Sequence, residues 1–276
     1  MNAISVPVLT YHSLNVLKNA YDQNDHIAFG VDLRTINSLG LRVVPLARVV
    51  DWHAGVIPDG EMQDAVAISL DDGSWLDFHD VEHPTCGPQV SMYNLLRQFQ
   101  DEVGSAQQPD LHVTSFVIAS PQARTELDAK DLLGYGWWGD DWWTASSQSG
   151  LMSIESHSWD HNHETLDRVA QRDQLKGDFT NIDTFGDCEI QVARSAEYIA
   201  WRSGVRPTLF AYPWGKASDY LLHDYMPNYA QNHGLRAAFS TCPRQVTRDE
   251  NKWYLPRYVC GHDWKTPAAL RKILRP

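Results

Sequence analysis

The sequence predicts an α/β fold, a distorted (β/α) barrel of seven or eight units in a single domain, and three observations predict it. Short apolar runs bounded by turn residues recur along all 276 residues, helix-like stretches separate them, and no Pro/Ser-rich linker, charge block or internal repeat divides the chain. One or two domains are expected at this length, and α/β barrels commonly reach it as one. We therefore expect one domain over residues 1–276.

The first apolar run, 6–11, reads as a buried strand. A helical stretch at 31–39 leads into a strand at 41–44, and a second helix is expected at 46–53. The run Ala-Val-Ala-Ile-Ser-Leu at 65–70 is the next strand. Val90, Tyr93, Leu95, Leu96 and Phe99 recur at helical spacing within 89–102, and the β-branched run 113–119 follows as a strand. Residues 122–150 are long, aromatic and weakly periodic, so they are read as a loop inserted on one barrel face. Trp137, Trp138, Trp142 and Trp143 stand there in a context too polar and glycine-punctuated for a core. A short strand at 152–155, a helix over 188–203 closed by Gly204, a strand at 207–212 and a helix over 220–233 capped by Gly234 continue the alternation. Strands at 237–240 and 254–259 and a last helix from Thr266 complete it.

Composition excludes several classes of function. Hydrophobic residues make up 43% and charged residues 21%, which is globular, and the net charge of -12 repels a polyanion, so nucleic acid is not an expected partner. No stretch approaches the roughly 18 apolar residues of a membrane span, and the first residues lack the basic-then-apolar pattern of an export signal, so a cytoplasmic protein is expected. Cys86, Cys188, Cys242 and Cys260 form no C-x-x-C pair, and free buried thiols are the expectation.

In such barrels chemistry gathers at the C-terminal ends of strands, and five strand ends here are polar. They are followed by His12, by Asp71-Asp72-Gly73, by His157 and His161, by Pro213-Trp214-Gly215 and by Gly261-His262-Asp263. Adjacent carboxylates repel unless a cation or proton separates them; the alternative is that one caps a helix while the other meets solvent. His157 and His161, four apart, share one face if the segment starts a helix, the arrangement of helix-borne metal pairs, and His163 could fill the same slot. With Asp72 they make a two-His, one-carboxylate set with positions left for water and substrate. Pro213 has no N–H, so a backbone donor from this turn would be Trp214.

These residues resemble the polysaccharide deacetylases of carbohydrate esterase family 4, the NodB-homology deacetylases. Ser69-Leu70-Asp71-Asp72-Gly73 is similar to the family's T-F-D-D-G motif, and His157-Ser158-Trp159-Asp160-His161-Asn162 to H-[ST]-x-x-H-P, with Asn162 in place of the proline. Phe210-Ala211-Tyr212-Pro213-Trp214-Gly215 resembles the F-A-Y-P-Y-G variant of a third motif. The opening Tyr11-His12 and the Leu255-Pro256-Arg257 segment resemble the circularly permuted branch that contains the poly-N-acetylglucosamine deacetylases.

The resemblance implies a metal-dependent hydrolase that removes an N-acetyl group from an amino sugar or polysaccharide precursor, an intermediate of a surface polysaccharide such as O-antigen being one example. It implies one divalent ion, Zn2+ first and Co2+, Ni2+ or Fe2+ as alternatives, held by Asp72, His157 and His161. Asp71 becomes the general base, Arg257 its partner, and His12 the acid ahead of the late His262. Trp214 is expected to stabilise the oxyanion, and Tyr212, Pro213, Trp138 and Trp142 to contact the sugar, with packing of the tryptophan loop as the alternative. A non-catalytic carbohydrate-binding relative is the competing function. A two-carboxylate glycosidase needs its acids about 5 to 9.5 Å apart across a sugar, which adjacent Asp71 and Asp72 do not obviously give.

Overall fold

The computed structural model describes residues 4–275, and the barrel expected from the sequence is observed. Its eight parallel strands are β1 (Val8–His12), β2 (Arg42–Val44), β3 (Ala65–Asp71), β6 (Val113–Val117), β7 (Met152–Ser156), β8 (Leu209–Ala211), β9 (Ala237–Phe239) and β10 (Tyr258–Val259). The remaining two, β4 (Val81–His83) and β5 (Gly87–Gln89), form a separate antiparallel hairpin. The ladder runs β10-β1-β3-β6-β7-β8-β9, with β2 beside the start of β3. Leu255 bridges to Phe239 of β9, and three residues later β10 pairs with β1, so one short stretch of chain closes the curl.

Period-two alternation sorts the side chains. In β3, Val66, Ile68 and Leu70 pack outward with Leu9, Tyr11 and Phe29 beneath the helices. Ala65 and Ala67 belong instead to the interior cluster with Val8, Phe116, Leu209, Ala211, Ala237 and Phe239. On the same alternation Thr10 and His12 follow Val8, Ser69 and Asp71 follow Ala67, and the Thr10 and Ser69 hydroxyls meet at 2.9 Å. The barrel is therefore apolar at its base and polar toward the strand ends.

Several elements differ from expectation. The first helix spans Asp25–Ser38 and begins earlier, because the Asn24 side chain accepts the backbone N–H groups of His26 and Ile27. The helix expected over 89–102 is Met92–Val103, capped by Ser91, because 87–89 is spent in the hairpin. Residues 122–150 are not a structureless loop: Ser120 caps a helix at Pro121–Asp131 with proline in its first turn, and a second short helix spans Trp143–Gln148. The four tryptophans are buried rather than displayed. Trp142 and Trp143 join the main core, and Trp142 stacks on Phe78.

Candidate active site

At the strand ends a cavity of about 480 Å³ is lined by His12, Asp71, Asp72, His157, His161 and Trp214, together with His163, Thr241, Val259 and His262. The β1–β3 register sets His12 directly beside Asp71. Asp71 is buried and bound at both oxygens by the fully buried Arg257, at 2.7 and 2.9 Å. Arg257 also donates to Ser69 Oγ at 3.0 Å and to the Ser240 carbonyl at 3.1 Å, and its guanidinium lies over Phe116. Burial alone would raise the Asp71 pKa, but the Arg257 charge, with His157 beside it, outweighs burial and holds it below the usual carboxylate range.

Asp72 leaves the strand with φ 75°, a left-handed turn continued by Gly73 at φ 72°. A Cβ on Gly73 would collide with the backbone and side chain of Val117, so the strained turn requires glycine. The indole N–H of Trp138 donates to the Asp72 carbonyl at 3.1 Å and fixes the turn from behind.

His157 and His161 do not sit on a helix. The backbone between them turns through positive φ at Ser158 (72°) and His161 (63°), continuing at Asn162 (51°). The buried Asp160 carboxylate holds this loop by accepting from Asn162 N, Gln191 Nε2 and Ala170 N, while Ser158 Oγ accepts from His161 N. The two imidazoles end 4.9 Å apart. Asp72 Oδ1 lies 3.7 Å from His157 Nε2 and 3.8 Å from His161 Nε2, and one donor atom from each of the three residues falls within 4.8 Å of the others.

This donor set fits a divalent metal, whose ligands at about 2.0 to 2.2 Å would stand near such separations. Burial lowers both imidazole pKa values, which favours the neutral rings that a metal would require, and His157 Nδ1 lies 2.8 Å from the Ala211 carbonyl; donation there would leave the Nε2 lone pair facing Asp72.

The acid candidates differ in setting. His12 has its backbone N–H on Asp25 Oδ2 at 2.8 Å and its Nδ1 buried without a partner among the described residues, leaving Nε2 for the cavity. The His262 side chain is 84% exposed at the rim, with Nδ1 2.8 Å from Asp263 Oδ1. Trp214 adopts φ 52° and lies edge to face on His161 with ring centres 4.5 Å apart. A Cβ on the next residue, Gly215, would run into Thr241.

Four expected sugar contacts do not line the cavity. Alternation turns Tyr212 outward with Phe210 into the cluster beneath the neighbouring helices, and Pro213 is buried below the turn. Trp138 supports Asp72 from outside, and Trp142 is core. Conversely, Thr241 and Asp77 have no signal in the sequence reading, and His163 enters it only as an alternative in the metal pair. His163 packs 5.3 Å from His161 and is signalled in the sequence only by its spacing. Asp77 is fully buried, accepts from Ser13 Oγ at 2.5 Å and Ser115 Oγ at 2.6 Å, and is raised to about 7 by burial, with no local pattern to announce it.

The family model for polysaccharide deacetylases matches residues 61–238, well over half the chain. The chain belongs to the polysaccharide deacetylase family. Solved structures similar to it include a polysaccharide deacetylase from Bacillus cereus, with TM-score 0.66 and 16% identity over 99% of this chain and 70% of the other. The Streptococcus pyogenes deacetylase PplD, solved with acetate, matches with TM-score 0.65 and 15% identity over 100% of both chains. IcaB from Ammonifex degensii matches with TM-score 0.63 and 17% identity over 99% of this chain and 97% of that one. At these identities the likeness carries the fold. No curated protein matches the chain significantly. No helix among the described residues of this deacetylase-family chain is long and apolar enough to cross a membrane.

Proposed function

We propose that this deacetylase-family protein hydrolyses the N-acetyl group of an N-acetylated carbohydrate, with a divalent metal, Zn2+ first, at Asp72, His157 and His161. The observation that carries the reading is the meeting of that donor triad with the Asp71–Arg257 pair and His12 in one cavity. A bound metal supplies Lewis acidity toward a carbonyl oxygen and a lowered pKa for water. Asp71, kept ionised by Arg257, accepts the proton of the attacking water. The backbone N–H of Trp214 is offered to the acetamide oxygen as it gains charge, the role its left-handed turn supports. His12, across the β1–β3 register from Asp71, gives its proton to the departing amine nitrogen.

The open rim at His262 and Trp214 favours a sugar end or a chain segment over a fully enclosed small molecule. Poly-N-acetylglucosamine fragments and intermediates of a surface polysaccharide such as O-antigen are the substrate classes to test. Acetate release is measured across free N-acetylated sugars, nucleotide sugars and oligomers, alongside elemental analysis. About one divalent ion per chain with acetate release supports the reading; a metal-free protein that releases no acetate from any member overturns it.

A further inference from the structure

On the barrel's flank, apart from the catalytic cavity, two depressions of about 370 and 690 Å³ meet at Pro121 and Tyr198 and make one groove along the first turns of the Pro121–Asp131 helix. Three aromatic rings mark its course. Trp201, 72% exposed at one end, is the open one; Tyr198 follows edge-on with ring centres 5.6 Å apart, and Trp159 lies 5.8 Å further on with the Arg194 guanidinium over its ring.

Between the rings the polar groups are held rigidly. Asp140 accepts from Arg124 and Arg202 at 2.6 Å each and from Tyr198 Oη at 2.7 Å, and Arg124 is itself buried, donating also to the Trp138 carbonyl. By count the charges along the groove cancel: Arg124, Arg202, Arg168 and Arg194 against Asp140, Asp128, Glu126 and Asp160, with Arg124 and Arg202 both paired to Asp140. A neutral groove with an exposed indole and fixed donor-acceptor pairs fits an uncharged, hydroxyl-rich chain better than a polyanion or an apolar peptide.

We propose that this groove is a second carbohydrate-binding site that holds a remote stretch of an N-acetylated glycan while another stretch is processed. The proposal rests on the deacetylase reading for its ligand class. The groove is tied to the catalytic turn at two points: Trp159 lies between His157 and His161, and Trp138, which lines the groove, holds the Asp72 carbonyl. Polymer seated here gains effective concentration at the cavity, so the gain belongs to KM and to long substrates.

The test compares wild type with Trp201→Ala and Trp201→Phe on N-acetylglucosamine oligomers from monomer to hexamer. Kinetics are read by acetate release and binding by tryptophan fluorescence on the metal-loaded protein. Trp201→Ala should raise hexamer KM and Kd about three- to tenfold, the usual size of an aromatic contact, with monomer kinetics and kcat unchanged and partial recovery in Trp201→Phe. Hexamer KM and Kd unchanged in Trp201→Ala overturn the groove and leave the deacetylase reading intact. Hexamer binding that weakens in Trp201→Ala while wild type releases no acetate from any oligomer supports the groove and removes N-acetylglucosamine oligomers as the substrate of the deacetylase reading.

Discussion

Replacing Arg257 by Met keeps the side-chain stem over Phe116 but removes the charge, and it leaves Asp71 buried without its two guanidinium bonds. The pair's side chains are 0% and 4% exposed, so solvent screens little of the loss, and breaking such a pair from one side costs about 3 to 5 kcal/mol at a pH where the carboxylate must stay charged. In wild type the folded Asp71 pKa is depressed. Its contribution to stability is therefore complete above the unfolded value near 4 and is lost as pH falls through the folded value. In Arg257→Met burial acts with far less opposition and the folded pKa rises, so the cost grows as pH climbs past the unfolded value. The stability difference between the two proteins, measured by urea unfolding, should widen from pH 4 to pH 8. Groups common to both cancel in that difference. If Asp71 is the base, as proposed, the acid limb of kcat/KM should also move to higher pH in the variant. A constant stability difference with an unmoved acid limb would refute the coupling between Arg257 and Asp71.

The metal triad predicts that His157→Ala loses both metal and turnover while circular dichroism stays that of the folded barrel, whereas Asp71→Asn keeps its metal and loses turnover; the opposite pattern exchanges the two aspartates. Asp77, raised to about 7 by burial, holds a proton in the folded state that the unfolded chain releases near 4, so wild-type stability should fall as pH rises between those values. Asp77→Asn should flatten that decline in urea midpoints at pH 5 and pH 8, and an unchanged slope contradicts it. His12→Ala should retain metal, lose about 10² to 10⁴-fold in kcat and abolish the alkaline limb; if His262→Ala behaves so instead, the late histidine is the acid.

Much of this was legible in the sequence because it rests on period two and on strand ends. Asp71, Asp72 and His12 follow buried strands whose alternation already sets which side chains face the barrel interior. The same counting from Leu209 would have turned Tyr212 away from the cavity, and only its place in a recognised motif argued otherwise. The tryptophan segment misled for a different reason. Its glycines and aspartates looked solvent-facing, but the Asp128 and Asp140 carboxylates satisfy backbone and arginine donors inside the fold and let the indoles pack. His157 and His161 have helical spacing without a helix. Their meeting depends on three left-handed residues and on Asp160, which local propensity does not specify. Asp77 is bound by Ser13 and Ser115, 64 and 38 residues away in the chain, and tertiary contacts of that kind leave no local signature.

The site also explains why closure of the barrel matters to its chemistry. His12 lies near residue 1 and Arg257 near residue 276, yet both meet at Asp71: His12 beside it in the β1–β3 ladder, and Arg257 by direct ion pairing just ahead of β10. The pairing of β10 with β1 and the Phe239–Leu255 bridge are the short contacts that bring those ends together. An open curl would leave Arg257 unanchored, Asp71 without its counter-charge and His12 on a free edge. The proposed metal triad would be less affected, because Asp72 and the 157–161 loop are set by β3, β6 and β7, whose mutual ladders do not involve the closing segment. The architecture thus separates the proposed metal ligands, set within one continuous arc of sheet, from the Arg257 counter-charge of Asp71, which depends on the closing segment.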